Sequence, residues 1–194
     1  MNFLKNIYIW TLKKAEHKNA KWYLSLISFA ESSFFPIPPD ILLIPMALAS
    51  KTKALFYAFT CTLSSVLGGI FGYAIGYFFF NSIGLYIVEF YHLENSFNIF
   101  ENYYKEFGIL IVLGAGITPF PYKFITIASG VFGLNIYLFV IVSIIGRGLR
   151  FYLIAILLYF FGEKIKLFID KYFNILSITF FILLVGSVFV IRFL

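Results

Sequence analysis

Charged side chains are scarce in this chain. Asp, Glu, Lys and Arg make up 12% of its 194 residues, whereas hydrophobic residues make up 61%. Typical soluble domains contain about 25% charged and about 45–50% apolar residues. A soluble protein of this size could not bury so much apolar surface, and several apolar stretches reach the roughly 20 residues that cross a hydrocarbon core. The composition therefore predicts an integral membrane protein.

Cysteine and histidine are also nearly absent. The single Cys61 excludes an intrachain disulfide and a cysteine-based metal cluster. The two histidines, His17 and His92, fall in predicted loops, so no histidine at membrane depth is available as a phosphatase nucleophile or as the partner base of a serine protease. We expect no enzyme, no cofactor and no metal, with a membrane-embedded lipid phosphatase as the remaining enzymatic alternative.

The basic residues are scattered and form no stripe or reading motif for nucleic acid, although the net charge is +6. Residues 1–22 predict a basic amphipathic N-terminal helix suited to an anionic lipid surface; a solvated terminus is the alternative. Lysines also flank the apolar segments in the loop at 51–53 and in a predicted loop at 162–171. Because positive loops face the cytoplasm, the N-terminus should be cytoplasmic and the acidic, polar segment 81–106 should lie outside.

Proline occurs only within 36–45 and 119–121. Each proline cluster divides an apolar region into two segments too short to span, which predicts re-entrant helical hairpins at 23–50 and 107–134. The motif Pro36-x-Pro38-x-Asp40 recurs as Pro119-x-Pro121-x-Lys123, so hairpin and following span form an internal repeat. Full spans are predicted at 54–80 and 135–161, and a C-terminal transmembrane helix at 172–192.

These segments predict an all-α integral membrane protein with two inverted repeats, each a re-entrant helical hairpin plus a transmembrane helix. The repeats are inverted because one full span separates the two hairpins. The glycines at 68, 72 and 76 give the first span a flat face for close helix contact. Broken segments at equivalent positions of inverted repeats are typical of a transporter's binding site.

Five ionisable residues fall within the predicted membrane region: Glu31, Asp40, Lys123, Arg147 and Arg150. Each costs about 2.5–3.5 kcal/mol at the bilayer centre, so they must be paired or hydrated. Two acids and three bases leave one positive charge, which suits a phosphate, and arginine offers a bidentate fork for its oxygens. We expect Asp40 and Lys123 to face each other across the hairpin tips. The alternative is a salt-bridge network that only holds the hairpins together.

At these residues the chain resembles the DedA family of bacterial membrane proteins, also called the SNARE-associated or VTT-domain superfamily, and in particular its YqaA-like branch. The resemblance covers about residues 24–162. It is carried by the segments 29–40, 68–77, 118–123 leading to Gly130, and 146–150. The chain departs from many family members in having Lys123 where they have arginine, which supplies a point charge instead of a fork.

The resemblance implies two facing re-entrant hairpins in residues 23–162 and functional roles for Glu31, Asp40, Arg147 and Arg150. Several members of the family are proton- or sodium-linked flippases for undecaprenyl phosphate or phospholipids, and distant eukaryotic relatives scramble lipids. The expectation is therefore a multi-pass protein of the bacterial cytoplasmic (inner) membrane that flips an anionic lipid phosphate. A non-transporting scaffold or envelope-assembly factor is the alternative. The lipid, the coupling ion and whether the chain forms a homo-oligomer stay open.

Overall fold

All regular structure in the described part of the chain is helical. The computed structural model describes residues 19–35, 37–80, 84–90 and 94–193. Most of the predicted N-terminal helix, Pro36 and parts of the segment 81–106 lie outside these residues. The helices are α1 (Ala20–Ser33), α2 (Asp40–Ala49), a 3-10 turn (Lys51–Lys53), α3 (Ala54–Phe79), α4 (Leu85–Phe90), α5 (Glu94–Ile117), α6 (Tyr122–Val131) and α7 (Ile136–Phe193).

Both proline clusters interrupt the helices as the sequence predicts. The first break separates α1 from α2 and the second separates α5 from α6. Pro39 and Pro121 are the residues immediately before α2 and α6. Proline suits this position because the first N–H groups of a helix have no partner within it. The carbonyl of Pro39 accepts from the N–H groups of Leu42 and Leu43, which closes the first turn of α2.

Glycines bring the helix backbones into contact. A Cβ atom on Gly68 would lie 2.1 Å from the carbonyl oxygen of Phe29 in α1, and one on Gly76 would lie 2.0 Å from that of Ile127 in α6. Close contact of small residues is a common way to pack apolar helices. The glycine face predicted on the first span is therefore confirmed as a packing face.

The direction of each helix follows from these contacts. Ser28 donates to the carbonyl of Cys61, and Ser33 donates to that of Gly68, so α1 runs in the same direction as α3. In the second half of the chain α5 similarly accompanies α7, since Gly108 lies near Leu134 and Gly116 lies against the backbone of Gly146.

The helices therefore begin and end at two opposite ends of the molecule. At the basic end, defined by the cluster of Ala20, Ala47, Ala54 and Leu158, α1 begins, α2 ends and α3 begins. At the acidic end, defined by the contacting rings of Phe80, Phe97 and Phe132, α3 ends and α5 begins. The first hairpin thus extends from the basic end and the second from the acidic end.

Two helical segments, Lys51–Phe79 and Ile136–Gly162, are long and apolar enough to cross a membrane, with mean hydropathy of 1.6 and 1.9. They coincide with the predicted spans 54–80 and 135–161. Their outward faces carry large exposed apolar side chains, which include Phe56, Phe59, Leu63, Leu67, Phe71, Ile141, Ile145, Leu149 and Leu153.

Two predicted boundaries are wrong. The predicted loop at 162–171 is helical, and α7 continues without interruption through the predicted C-terminal span 172–192. The physical reason is that residues 163–185 contain neither glycine nor proline, and Glu and Lys favour a helix. The predicted boundary between the polar segment 81–106 and the hairpin at 107 is also absent, because α5 runs through it from Glu94 to Ile117.

Candidate functional site

Arg147 and Glu31 form an ion pair in the interior of the molecule, which we call the inner pair. Arg147 Nη2 lies 2.5 Å from Glu31 Oε2, and the two side chains are 2% and 10% exposed. Glu31 lies in the last turn of α1 and Arg147 lies within α7. Of the two outcomes that the sequence predicts for such charges, pairing or hydration, these two residues are paired.

Two serines complete a closed ring of hydrogen bonds around the inner pair. Arg147 Nε donates to Ser65 Oγ over 2.6 Å, and Ser32 Oγ donates to Glu31 Oε2 over 3.2 Å. The hydroxyls of Ser32 and Ser65 lie 2.6 Å apart. Because Ser32 already donates its proton to Glu31, the bond between the serines runs from Ser65 to Ser32. Each hydroxyl therefore donates once and accepts once.

Aromatic rings cover the Arg147 guanidinium. Its central carbon lies 4.9 Å from the ring centroid of Tyr122 and 4.7 Å from that of Phe151. Both rings are fully buried, and cation–π contacts of this kind stabilise a desolvated guanidinium. The Tyr122 hydroxyl bonds that of Ser143 over 2.6 Å. The inner pair thus joins α1, α3, α6 and α7 through one side chain.

Arg150 and Asp40 form a second pair, which we call the tip pair because both partners lie beside the breaks. Arg150 Nη2 lies 2.5 Å from Asp40 Oδ2. The other terminal nitrogen, Nη1, donates to the backbone carbonyl of Thr118 over 2.5 Å. Asp40 is the first residue of α2, and Thr118 directly follows α5. A single guanidinium therefore bridges the first break to the second.

The tip pair is more open than the inner pair and its bonding is incomplete. The side chains of Arg150 and Asp40 are 15% and 17% exposed, and Thr118 is exposed. The second carboxylate oxygen of Asp40, Oδ1, is shielded from solvent and has no hydrogen-bond partner. A buried oxygen without a donor costs free energy, so this carboxylate is held less completely than that of Glu31.

The predicted pairing of Asp40 with Lys123 is wrong. Asp40 binds Arg150 instead, and Lys123 Nζ lies over the ring of Phe124, 5.4 Å from its centroid. Among the described residues no carboxylate pairs with Lys123. The repeat alignment gave equivalent positions after the two proline motifs, but equivalent positions in two hairpins need not face each other. Lys123 therefore supplies the positive charge that the predicted sum of acids and bases leaves over.

The predicted structural prolines differ in environment. Pro38 is half-buried, whereas Pro119 and Pro121 are exposed, and Pro36 lies outside the described residues. Sequence reasoning missed the contributions of Ser32, Ser65, Tyr122 and Thr118. The serines at 25, 28, 32 and 33 of α1, which follow one helix face, were a usable signal of a polar contact with α3. Nothing in the sequence marks a backbone carbonyl such as that of Thr118 as an arginine ligand.

Comparison with known proteins identifies relatives over nearly the whole chain. A protein of Haemophilus influenzae described as uncharacterized is 34% identical over 192 residues, which cover 99% of this chain and 100% of that protein. An uncharacterized protein of Histophilus somni is 32% identical over 164 residues, or 84% of this chain and 85% of that protein. No protein-family model matches the chain, and no solved structure matches it. This degree of identity over this length shows that the chain belongs to the family of the Haemophilus influenzae and Histophilus somni proteins.

Proposed function

We propose that this protein is a DedA-type transporter that flips an anionic lipid phosphate, such as a polyprenyl phosphate or a phospholipid, across the bacterial cytoplasmic membrane. The observation that carries the proposal is the presence of two arginine–carboxylate pairs inside an apolar helical body, both beside breaks in its helices. Interior charges at the breaks of apolar helices mark substrate or ion pathways in membrane proteins.

Insertion into a membrane is supported by the surface of the two long apolar helices. Phe59, Leu63 and Leu67 follow one another at four-residue spacing on α3 and are each about half exposed. A soluble monomer rarely exposes a continuous apolar face of this kind. In a membrane, lipid chains would cover this face and remove the free-energy cost of exposing it to water.

The inverted-repeat architecture is supported by equivalent packing in the two halves. In each half, the helix before the break runs alongside the long helix that follows the hairpin, and a glycine at 68 or 146 brings their backbones together. The first hairpin extends from the basic end and the second from the acidic end, as two re-entrant hairpins entering from opposite sides of a membrane would.

Orientation of the protein is supported by charge. Lys21, Lys53 and Lys164 lie beside residues of the basic-end cluster. Glu101 and Glu106 lie in the first half of α5, the helix that begins at the acidic end. The basic end would therefore face the cytoplasm.

In this function the more accessible bases, Arg150 and Lys123, bind the headgroup, and the acids release or neutralise the bases. A phosphate can accept hydrogen bonds from both ends of the Arg150 fork, and Lys123, which follows the second break, adds a charge that no described carboxylate pairs with. Asp40, when released from Arg150, is the carboxylate available for the proton coupling that the DedA resemblance implies. Sodium coupling is the other ionic possibility that the DedA resemblance implies.

A second candidate is a non-transporting scaffold, favoured by the closure of the inner pair. The Arg147 guanidinium is covered by two rings, is bonded to two side chains and belongs to a residue only 1% exposed. A pair of this kind can hold helices together without any substrate.

The two candidates are separated by a lipid-flipping assay in reconstituted vesicles. Fluorescent analogues of undecaprenyl phosphate and phosphatidylethanolamine are compared under an imposed pH gradient, with a membrane-impermeant quencher reporting the outer leaflet. A transporter should flip the anionic lipid phosphate faster than protein-free vesicles do, and Arg150→Gln should abolish the difference. Lys53→Gln, which removes the same charge at the basic end, should keep it. Equal rates with and without wild-type protein would rule out transport of these lipids and leave the scaffold.

A further inference from the structure

We infer that Arg150 is an exchangeable clamp: the phosphate group of an anionic ligand replaces Asp40 and the Thr118 carbonyl on its guanidinium, so that ligand binding releases both breaks at once. This inference rests on the proposed function, because it names the residue of that site that meets the substrate and the movement that follows.

The clamp acts on both hairpins through one side chain. Nη2 of Arg150 holds Asp40, at the start of α2, and Nη1 holds the carbonyl of Thr118, just after α5. Arg150 itself lies on α7, outside both hairpins. A ligand that takes the N–H groups now bonded to Asp40 and Thr118 therefore detaches the first break and the second break together.

The two protein ligands of Arg150 resemble a phosphate in their chemistry. One is an anionic oxygen and the other a neutral carbonyl oxygen, and they bind the two terminal nitrogens of the same guanidinium. A phosphate presents two oxygens to this end of the fork in a bidentate contact. The resident oxygens come from two separate segments of the chain, whereas those of a phosphate come from one group, so exchange needs no new donor.

Exchange at this position is favoured by what the tip pair lacks. Asp40 Oδ1 has no hydrogen-bond partner, so release of Asp40 sacrifices only the bond through Oδ2. Both side chains of the pair are partly exposed, which gives a ligand access. Lys123, in the first turn of α6 after the second break, is a positive charge that no described carboxylate neutralises and that can balance the arriving negative charge.

The inner pair provides the contrast within the same helix. Arg147 has rings on its guanidinium, bonds to Glu31 and Ser65 along one edge, and almost no exposed surface. A phosphate could reach it only after the contacts of four helices had separated. The same type of arginine–carboxylate pair is therefore inaccessible to a ligand at Arg147 and exchangeable at Arg150.

The test measures the distance between the two breaks directly. Ile37 and Phe120 are exposed residues of the first and second break, and spin labels at Ile37→Cys and Phe120→Cys, in a Cys61→Ala background, report their separation by pulsed electron paramagnetic resonance. Protein in maltoside micelles, which contain no phosphate, is titrated with phosphatidylglycerol. Oleate serves as an anion without phosphate, and inorganic phosphate alone serves as the free form of the ligand.

We expect phosphatidylglycerol to shift the wild-type distances toward those of Arg150→Gln, and oleate to leave them unchanged. Arg150→Gln should show the released distances without lipid and should respond to lipid at least about tenfold less, because it lacks a charge-assisted contact to the phosphate. Arg150→Lys, which keeps a charge beside Asp40, gives the same test should Arg150→Gln fail to fold. Lys53→Gln should behave as wild type.

If the distance between the labels in both Arg150 variants equals that in the wild type, Arg150 does not hold the two breaks together. If the distance changes in the variants but phosphatidylglycerol does not change it in the wild type, the ligand does not replace Asp40 and Thr118. A change of distance with inorganic phosphate but not with phosphatidylglycerol would assign the clamp to free phosphate and overturn the lipid headgroup as its ligand. If the distances respond to lipid but vesicles show no flipping, the proposed transport function fails while the clamp stands.

Discussion

The guanidinium groups of Arg147 and Arg150, three residues apart on α7, bind carboxylates from opposite sides of the first break. Glu31 precedes the break and Asp40 follows it. Residues three apart lie on one face of a helix, so a single face of α7 is joined to both helices of the first hairpin. The inner pair is nearly dry and the tip pair is partly exposed, which means that equal substitutions at the two pairs should have unequal consequences.

Removal of one charge should destabilise the inner pair more than the tip pair. Glu31→Gln leaves Arg147 buried without a counter-charge, which should cost about 3–5 kcal/mol of the free energy of unfolding. Asp40→Asn should cost less, because Arg150 is more exposed and keeps its bond to Thr118. The measurement is unfolding of the purified protein in detergent.

The control for this prediction removes both members of the inner pair. In Glu31→Leu with Arg147→Met no charge is left unpaired, and most of the lost stability should return. If the double variant were as unstable as Glu31→Gln, the burial of an unpaired charge could not be the cause.

Substitution of each arginine by lysine should separate stability from transport. Arg147→Lys loses the fork that binds Glu31 and Ser65 together, and we expect a loss of about 1.5–3 kcal/mol of stability. Arg150→Lys should lose little stability but most lipid flipping, because a point charge cannot hold a phosphate in bidentate contact. Thermal unfolding in detergent and flipping in vesicles are measured on the same preparations. The reverse pattern would exchange the roles that we assign to the two arginines.

Glycine-to-alanine substitutions should depend on the backbone that each glycine meets. A Cβ on Gly68 or Gly76 would collide with a carbonyl oxygen of α1 or α6, so either variant must separate helices and should be strongly destabilised. Gly114→Ala is the matched control, since a Cβ there meets nothing within 4 Å and alanine favours the helix by up to about 1 kcal/mol. Melting temperatures in detergent should therefore fall for the first two variants and hold or rise for Gly114→Ala. A harmless Gly76→Ala would contradict the close packing of α3 on α6.

Accessibility of single cysteines should test the proposed topology. Thr52, beside the basic end, and Asn98, in α5 toward the acidic end, are both exposed. In a Cys61→Ala background, Thr52→Cys and Asn98→Cys should react with an impermeant thiol reagent from opposite sides of the membrane. Labelling of both positions from the same side would contradict the inverted repeats.

The sequence by itself determined the elements of this fold that depend on local chemistry. The proline clusters fixed both helix breaks, because proline cannot donate within a helix. The long apolar runs determined the segments Lys51–Phe79 and Ile136–Gly162, and the glycine spacing on α3 determined its packing face. The predicted end of the helix near 162 failed because charge alone does not stop a helix, and residues 163–185 contain no glycine or proline.

Tertiary structure alone decided which charges meet. The scarcity of charge marked Glu31, Asp40, Lys123, Arg147 and Arg150 as one site, since a buried charge needs a partner. Which acid binds which base depends on the crossing of helices that are more than 100 residues apart in the chain, as the Glu31–Arg147 separation of 116 residues illustrates. Local pattern contains no information on such a crossing. It could predict that these groups are paired or hydrated, but not that Asp40 would bind Arg150 and leave Lys123 without a partner among the described carboxylates.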